Sequence, residues 1–138
     1  HTRNPRERYM IRLIAACALL FGTACVGDES LAKYGASGKV WSLSEIDGAA
    51  FGALATMEFD EAGWIKGQAP CNRYSVQQKA PYPWFEVGPT MATKMACPDL
   101  AAENAFFTAL SAMTLSEVGN TTLILSNDAG RTMVFKSE

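Results

Sequence analysis

Residues 67–97 read GQAPCNRYSVQQKAPYPWFEVGPTMATKMAC, and the order of features in this stretch decides the fold. It opens on the tail of one strand, meets Pro70, and restarts as an alternating strand at Tyr74 and Val76. Proline brings no N–H to a ladder, so the ladder breaks at Pro70. Lys79–Pro83 (KAPYP) reads as a turn with two prolines, Trp84–Val87 as a short strand closed by Gly88-Pro89, and Thr90–Ala96 (TMATKMA) as irregular. At Cys97-Pro98-Asp99 a helix begins: proline suits a first helical position and aspartate the positive end of the dipole. The stretch therefore carries the chain out of a sheet and into a helix, with Cys71 near one end and Cys97 at the other.

Outward from this centre the pattern is simple. Leu100–Met113 (LAAENAFFTALSAM) has no glycine or proline, and Phe106, Leu110 and Met113 fall at i, i+4 and i+7. This predicts a helix whose apolar stripe covers a sheet, with Glu103 and Asn104 on a wetter side. Before the centre, Val40–Ile46 and Leu54–Asp60 alternate as half-buried strands, Ala49–Gly52 is a loop, and Asp60–Gly63 turns the chain into Trp64–Gln68. After the helix, Thr114–Val118, Thr121–Ser126 and Arg131–Lys136 are strands, with turn signals at Gly119-Asn120 and Asn127–Gly130. Seven or eight short strands with one inserted helix predict a mainly β fold, a small antiparallel barrel-like domain.

The N-terminus reads differently. Residues 1–9 are polar and basic and form upstream sequence or an extended n-region. From Met10, a basic residue and the apolar run Leu13–Val26 make a secretory signal peptide, too short for a comfortable transmembrane helix of about 20 residues. The run ends Gly22-Thr23-Ala24-Cys25, which resembles a bacterial lipobox with Cys25 as the acylated residue, although Gly22 stands where Leu or Val is usual. The expected organisation is 1–25 signal segment, 26–38 flexible tether and 39–138 folded domain.

Composition narrows the chemistry. From Val26 onward, eight Lys and Arg stand against thirteen Asp and Glu, which disfavours nucleic acid as a partner. The only histidine of the 138 residues is His1, so the domain lacks an imidazole for Ser-His-Asp or Cys-His catalysis and for the usual catalytic zinc sites. Carboxylates such as Glu58 and Asp60 are what a histidine-free enzyme would use; these two are expected on opposite faces of their strand, where they do not converge, and no motif supports them.

A set of residues in a fixed order resembles the META domain family, HslJ-like type. It comprises Trp41-Ser42-Leu43, Gly48, Met57-Glu58-Phe59, Gly67, Cys71-Asn72-Arg73-Tyr74, Thr90, Met95-Ala96-Cys97, Glu103-x-x-Phe106, Leu110 and Leu123-x-Leu125. The match runs from about Lys39 to Lys136. Pro70 stands where the family shows glycine before the cysteine, and Ser75 where a glycine follows the tyrosine. The resemblance implies a small barrel-like domain, often exported and often on a lipoprotein, associated with envelope stress and carrying no implied enzymatic activity.

These readings set the expectations. Cys71 and Cys97 form either a disulfide, worth roughly 3 kcal/mol in the chain-entropy model, or two buried thiols, with the disulfide favoured in an exported domain. No metal and no cofactor is expected. Asn72, Tyr74, Thr90 and Met95 are a structural signature, with Asn72 satisfying backbone groups and Thr90 capping or bonding the loop before the helix. Arg73, Ser75 and Lys94 form a candidate binding rim. Met91, Met95, Met113 and Met133 fill the core, as do Trp41, Trp64, Trp84 and Phe85 unless these aromatics line an apolar ligand pocket. The expected function is that of a non-enzymatic cell-envelope lipoprotein facing the periplasm, held to the membrane through Cys25 and binding another envelope component in stress tolerance. The alternative is a carrier of a small apolar ligand in a barrel interior.

Overall fold

The computed structural model describes residues 30–138. Among these described residues, nine antiparallel strands form one curled sheet around a single α-helix: β1 (Trp41–Ile46), β2 (Ala49–Ala50), β3 (Thr56–Phe59), β4 (Trp64–Gln68), β5 (Arg73–Gln77), β6 (Met91–Ala92), α1 (Leu100–Ala112), β7 (Leu115–Val118), β8 (Thr122–Ser126) and β9 (Thr132–Lys136). The order across the sheet is β6-β5-β4-β3-β1-β9-β8-β7, with β2 paired to β1. The sheet curls into a barrel-like shape without closing. The predicted mainly β architecture with one helix is therefore what forms.

Turn chemistry explains the meander. Asp60 and Asn127 do the same work at the β3–β4 and β8–β9 turns. Asp60 Oδ1 accepts N–H bonds from Ala62 and Trp64, and Asn127 Oδ1 accepts them from Ala129 and Arg131. A glycine at positive φ follows each, Gly63 at 88° and Gly130 at 83°, where a side chain would be strained. Asp47 and Gly48 both hold positive φ, 52° and 79°, which gives the tight β1–β2 hairpin the twist its strands require. A bulge between Leu43 and Glu45 bends β1 where it pairs with β9.

The interior is filled by alternate residues of these strands and by one helix face. Trp41, Met57, Ile65, Val76, Leu123, Leu125, Met133 and Phe135 come from the sheet, and Phe106, Ala109 and Leu110 come from α1, with Met113 just beyond it. The stripe of Phe106, Leu110 and Met113 is buried as the 3.6-residue period predicts.

Four expectations are corrected. Ala49–Ala50 and Met91–Ala92, expected as loop and irregular chain, pair as two-residue strands, because hydrogen bonding to β1 and β5 organises residues whose own sequence carries no period. Trp84–Val87 is not a strand; it makes only isolated bridges, Trp84 to Leu115 and Gln78 to Val87. Within the expected tether, Leu31 and Ala36 are buried in the core, and a helical turn at Ala32–Ala36 is held by Trp41, whose Nε1–H donates to the Ala36 carbonyl at 2.8 Å. The packed domain thus takes in residues before Lys39. Finally, Met91, Met95 and Trp84 are exposed, at 58%, 63% and 58%, so only Met113 and Met133 of the four methionines, and Trp41 and Phe85 most completely of the four aromatics, serve as core.

Candidate functional site

Between β5 and α1 the chain makes a corner, Ala69–Asn72, and a strap, residues 90–97, that crosses back over it. Every residue from Pro89 to Ala96 is exposed, so the strap cannot be held by burial of its own side chains. It is held by three other devices. Cys71 and Cys97 are joined by a disulfide across a Cα–Cα distance of 5.8 Å. Thr93 N–H donates to the Arg73 carbonyl at 3.1 Å, extending the β5–β6 pairing. The third is Asn72.

Asn72 is buried and uses its whole side-chain amide. Oδ1 accepts the Met95 N–H at 2.7 Å and the Thr93 hydroxyl at 2.9 Å; Nδ2 donates to the Met95 carbonyl at 3.1 Å and to Glu103 Oε2 at 2.7 Å. The expectation that Asn72 satisfies backbone groups is met. Met95 takes part through its main chain alone. Thr90 does not have the role expected of it: it is exposed, and the hydroxyl that bonds Asn72 belongs to Thr93, three residues later. The strap pairs with β5 first, and this places Thr93, not Thr90, over Asn72.

Glu103 is the residue that sequence reasoning misplaced. It was expected on the wet side of the helix, yet it is 4% exposed. Its Oε1 accepts the N–H groups of Cys71 at 3.1 Å and Asn72 at 2.7 Å, while Oε2 takes the Asn72 amide. It lies in the first turn of α1, where the helix dipole favours a negative group. The signal was present: Glu103 stands three residues before Phe106, and helical residues three apart share a face.

Tyr74 completes the corner. Its ring is buried edge-on against Phe106 and Phe107, with centroids 5.4 Å away in each case, and its hydroxyl donates to the Thr56 carbonyl at 2.6 Å. Burial pushes the phenol pKa far above its ordinary value. The same Thr56 carbonyl fixes Gly67, where a Cβ would lie 2.0 Å from the oxygen.

Of the candidate rim, Arg73 and Ser75 line an open groove of about 480 Å³ together with Lys66, Met91, Ala92 and Thr93. Lys94 is exposed one residue further along the strap but does not line the groove. Glu58 is exposed on β3, while Asp60 is taken up by its turn and by an ion pair with Lys66 at 3.8 Å. Residues two apart along a strand share a face, which corrects the expected opposition of Glu58 and Asp60; Asp60 lies just past the end of β3, and its turn and ion pair separate its role. Among the described residues no group of three or more His, Cys, Asp and Glu side chains is placed to hold a metal, and no helix is long and apolar enough to cross a membrane. Cys25 lies outside the described residues.

A curled antiparallel sheet with one inserted helix, latched to it by a disulfide and a buried Asn–Glu pair, defines a small β domain of one architectural class. The chain belongs to the META domain family, whose model matches residues 17–138. Solved structures share the fold. An NMR structure of a protein from Burkholderia xenovorans is 24% identical, with a TM-score of 0.63, covering 84% of this chain and 94% of that one. A crystal structure of a DUF4847 family protein from Bacteroides vulgatus is 12% identical, with a TM-score of 0.61, covering 78% and 96%. No curated protein sequence matches the chain.

Proposed function

We propose that this chain is a non-enzymatic binding module of the bacterial cell envelope, exported through its N-terminal segment, anchored by acylation of Cys25, and serving stress tolerance by holding another envelope component. The observation that carries this reading is the Cys71–Cys97 disulfide, because disulfides persist in oxidising compartments and are rare in the cytosol. The non-enzymatic part is supported by how the corner uses its polar groups. Glu103, Asn72 and the Tyr74 hydroxyl are all committed to main-chain or mutual hydrogen bonds. The exposed Arg73 and Lys94 and the half-buried Ser75 are what the corner leaves available to a partner. The carrier alternative has less support, since Trp41, Met57, Phe106 and Phe135 occupy the interior.

Fractionation of cells producing the tagged chain tests this. The expected result is recovery with the envelope membranes, sensitivity of processing to globomycin, and release into the soluble periplasm on Cys25→Ala. Recovery in the cytosol overturns the envelope reading, and equal solubility with and without the substitution overturns the anchor.

A further inference from the structure

The sheet covers its edges unequally. Along β7, the Pro83–Phe85 segment supplies partners: Phe85 N–H donates to the Thr114 carbonyl at 2.9 Å and Ser116 N–H to the Pro83 carbonyl at 2.7 Å. Beyond the end of β5, Gly88 N–H donates to the Gln77 carbonyl at 2.9 Å and Lys79 N–H to the Glu86 carbonyl at 2.8 Å. β6 has no such cover among the described residues. The Thr93 N–H bond to the Arg73 carbonyl makes that pair a hydrogen-bonded one, and antiparallel ladders alternate. Ser75–Met91 is then the next hydrogen-bonded pair and Tyr74–Ala92 the non-hydrogen-bonded pair between them. Ala92 therefore directs its N–H and C=O away from β5, into solvent, as a bare sheet edge.

Charge says what such an edge accepts. Lys66 and Arg73 line the groove beside β6, Lys94 follows it, and no acidic side chain lines the groove. Arg73, on β5 beside β6, and Lys94, just past β6, are the cations nearest this edge, while Lys66 lies one strand further in on β4 and pairs with Asp60. The other short edge strand, β2, sits beside Glu45 and Asp47 instead. Ser75 and Ala92 keep the groove shallow, and Met91, 58% exposed, offers an adaptable apolar contact.

We infer that β6 is a docking edge for an extended acidic peptide segment of a partner protein, which adds as a strand against Ala92 with its carboxylates beside Arg73 and Lys94. This rests on the reading of the chain as a binding module and names the class of its partner. Main-chain bonds to Ala92 supply the strand register, and the cations select an acidic sequence and speed its encounter.

The test is fluorescence anisotropy of the purified chain with a labelled peptide alternating Glu with Val and Thr. Its controls are the same peptide with Lys for Glu, a proline-interrupted version, and anionic phosphatidylglycerol vesicles. The acidic peptide should bind, weaken as salt rises, and weaken about tenfold with Arg73→Glu, a change at an exposed side chain that should leave the melting temperature near that of the parent. Ala92→Pro removes the outward N–H, which no bond to β5 uses, and should also abolish binding; a melting temperature near that of the parent shows that the φ fixed by the ring leaves the fold intact. Equal binding of the lysine peptide, indifference to Ala92→Pro in a folded variant, binding to vesicles alone, or self-association as the only event each overturns the inference. An exported chain that fails these titrations loses this inference alone, whereas a cytosolic chain that passes them loses the envelope reading alone.

Discussion

Asn72 and Glu103 hold each other at two points: the Asn72 N–H donates to Glu103 Oε1 and its Nδ2 to Oε2, each at 2.7 Å. With Cys71 N–H on Oε1 and the strap on Asn72 Oδ1, one buried pair joins the β5 corner, the first turn of α1 and the Thr93–Met95 strap. The disulfide runs parallel to this pair, from Cys71, the residue before Asn72, to Cys97 at the end of the strap.

Removing the Glu103 carboxylate strands three donors, two of them main-chain. Each buried donor left without an acceptor costs about 1–3 kcal/mol, so Glu103→Ala is expected to lose about 3 kcal/mol or more, and the chain to unfold at markedly lower urea. Glu103→Gln keeps one acceptor oxygen but turns an amide N–H toward other donors, and its loss should fall between parent and alanine. Urea unfolding at neutral pH checks both, and an unchanged midpoint for Glu103→Ala would contradict the role assigned to this carboxylate.

The legible and illegible parts of this fold divide along physical lines. Strands announced by alternation and closed by turn residues, such as Trp64–Gln68 after Asp60–Gly63, were readable because their signal is local. So was the helix stripe of Phe106, Leu110 and Met113. The short strand Met91–Ala92 was not, since its pairing is set by β5 across the chain. The inward turn of Glu103 was also hidden: a carboxylate is a reliable surface marker unless something distant supplies N–H groups, and those come from Cys71 and Asn72 about thirty residues earlier. At the candidate site, Cys71, Asn72 and Cys97 were identifiable as a unit, whereas Thr93 was not separable from Thr90 by residue type.

Gly67 should tolerate no side chain. A methyl group there would stand 2.0 Å from the Thr56 oxygen and 2.8 Å from its carbon, backbone atoms that cannot swing aside. Gly67→Ala is expected to cost about 3 kcal/mol, at the upper end of overpacking losses, or to shift the β3–β4 register. Tyr74→Phe, which removes only the hydroxyl bonded to the same carbonyl, should cost about 1–2 kcal/mol and leave the register alone. Thermal unfolding ranks the two, and β3–β4 amide contacts in an NMR spectrum separate register change from simple loss of stability.

Breaking the disulfide should loosen the strap without releasing it. The link closes a separation of 26 residues, and the chain-entropy model assigns about 3 kcal/mol to a loop of that order. Asn72 still binds Thr93 and Met95 by its side chain, so a Cys71→Ser, Cys97→Ser double variant should remain folded, with lower stability and faster amide exchange at Met95 than at Ile65 in β4. Equal acceleration of exchange at both residues would mean that the disulfide supports the whole sheet and not the strap.

Acid should expose the contribution of Asp47. Its Oδ1 accepts the Thr132 N–H at 3.1 Å, and its Oδ2 accepts Arg131 Nε and Nη2 at 3.2 and 3.1 Å, tying the β1–β2 hairpin to the start of β9. The Thr132 N–H first, and the Arg131 guanidinium next, stabilise the ionised form and hold the carboxyl below its ordinary pKa of 3.8. A folded pKa below the unfolded one means that the unfolded chain binds the proton more readily. The stabilisation is therefore fully present above 3.8 and fades as pH falls through the folded value. Asp47→Asn isolates this term, because asparagine also accepts the positive φ of 52° at this turn but carries no charge. The parent should melt higher than Asp47→Asn at neutral pH, and the gap should close as the pH falls below 3.8 and through the folded value. Added salt should narrow it at neutral pH, since the pair is open to solvent. A gap independent of pH would show that the turn geometry, and not the ionised carboxylate, is what Asp47 supplies.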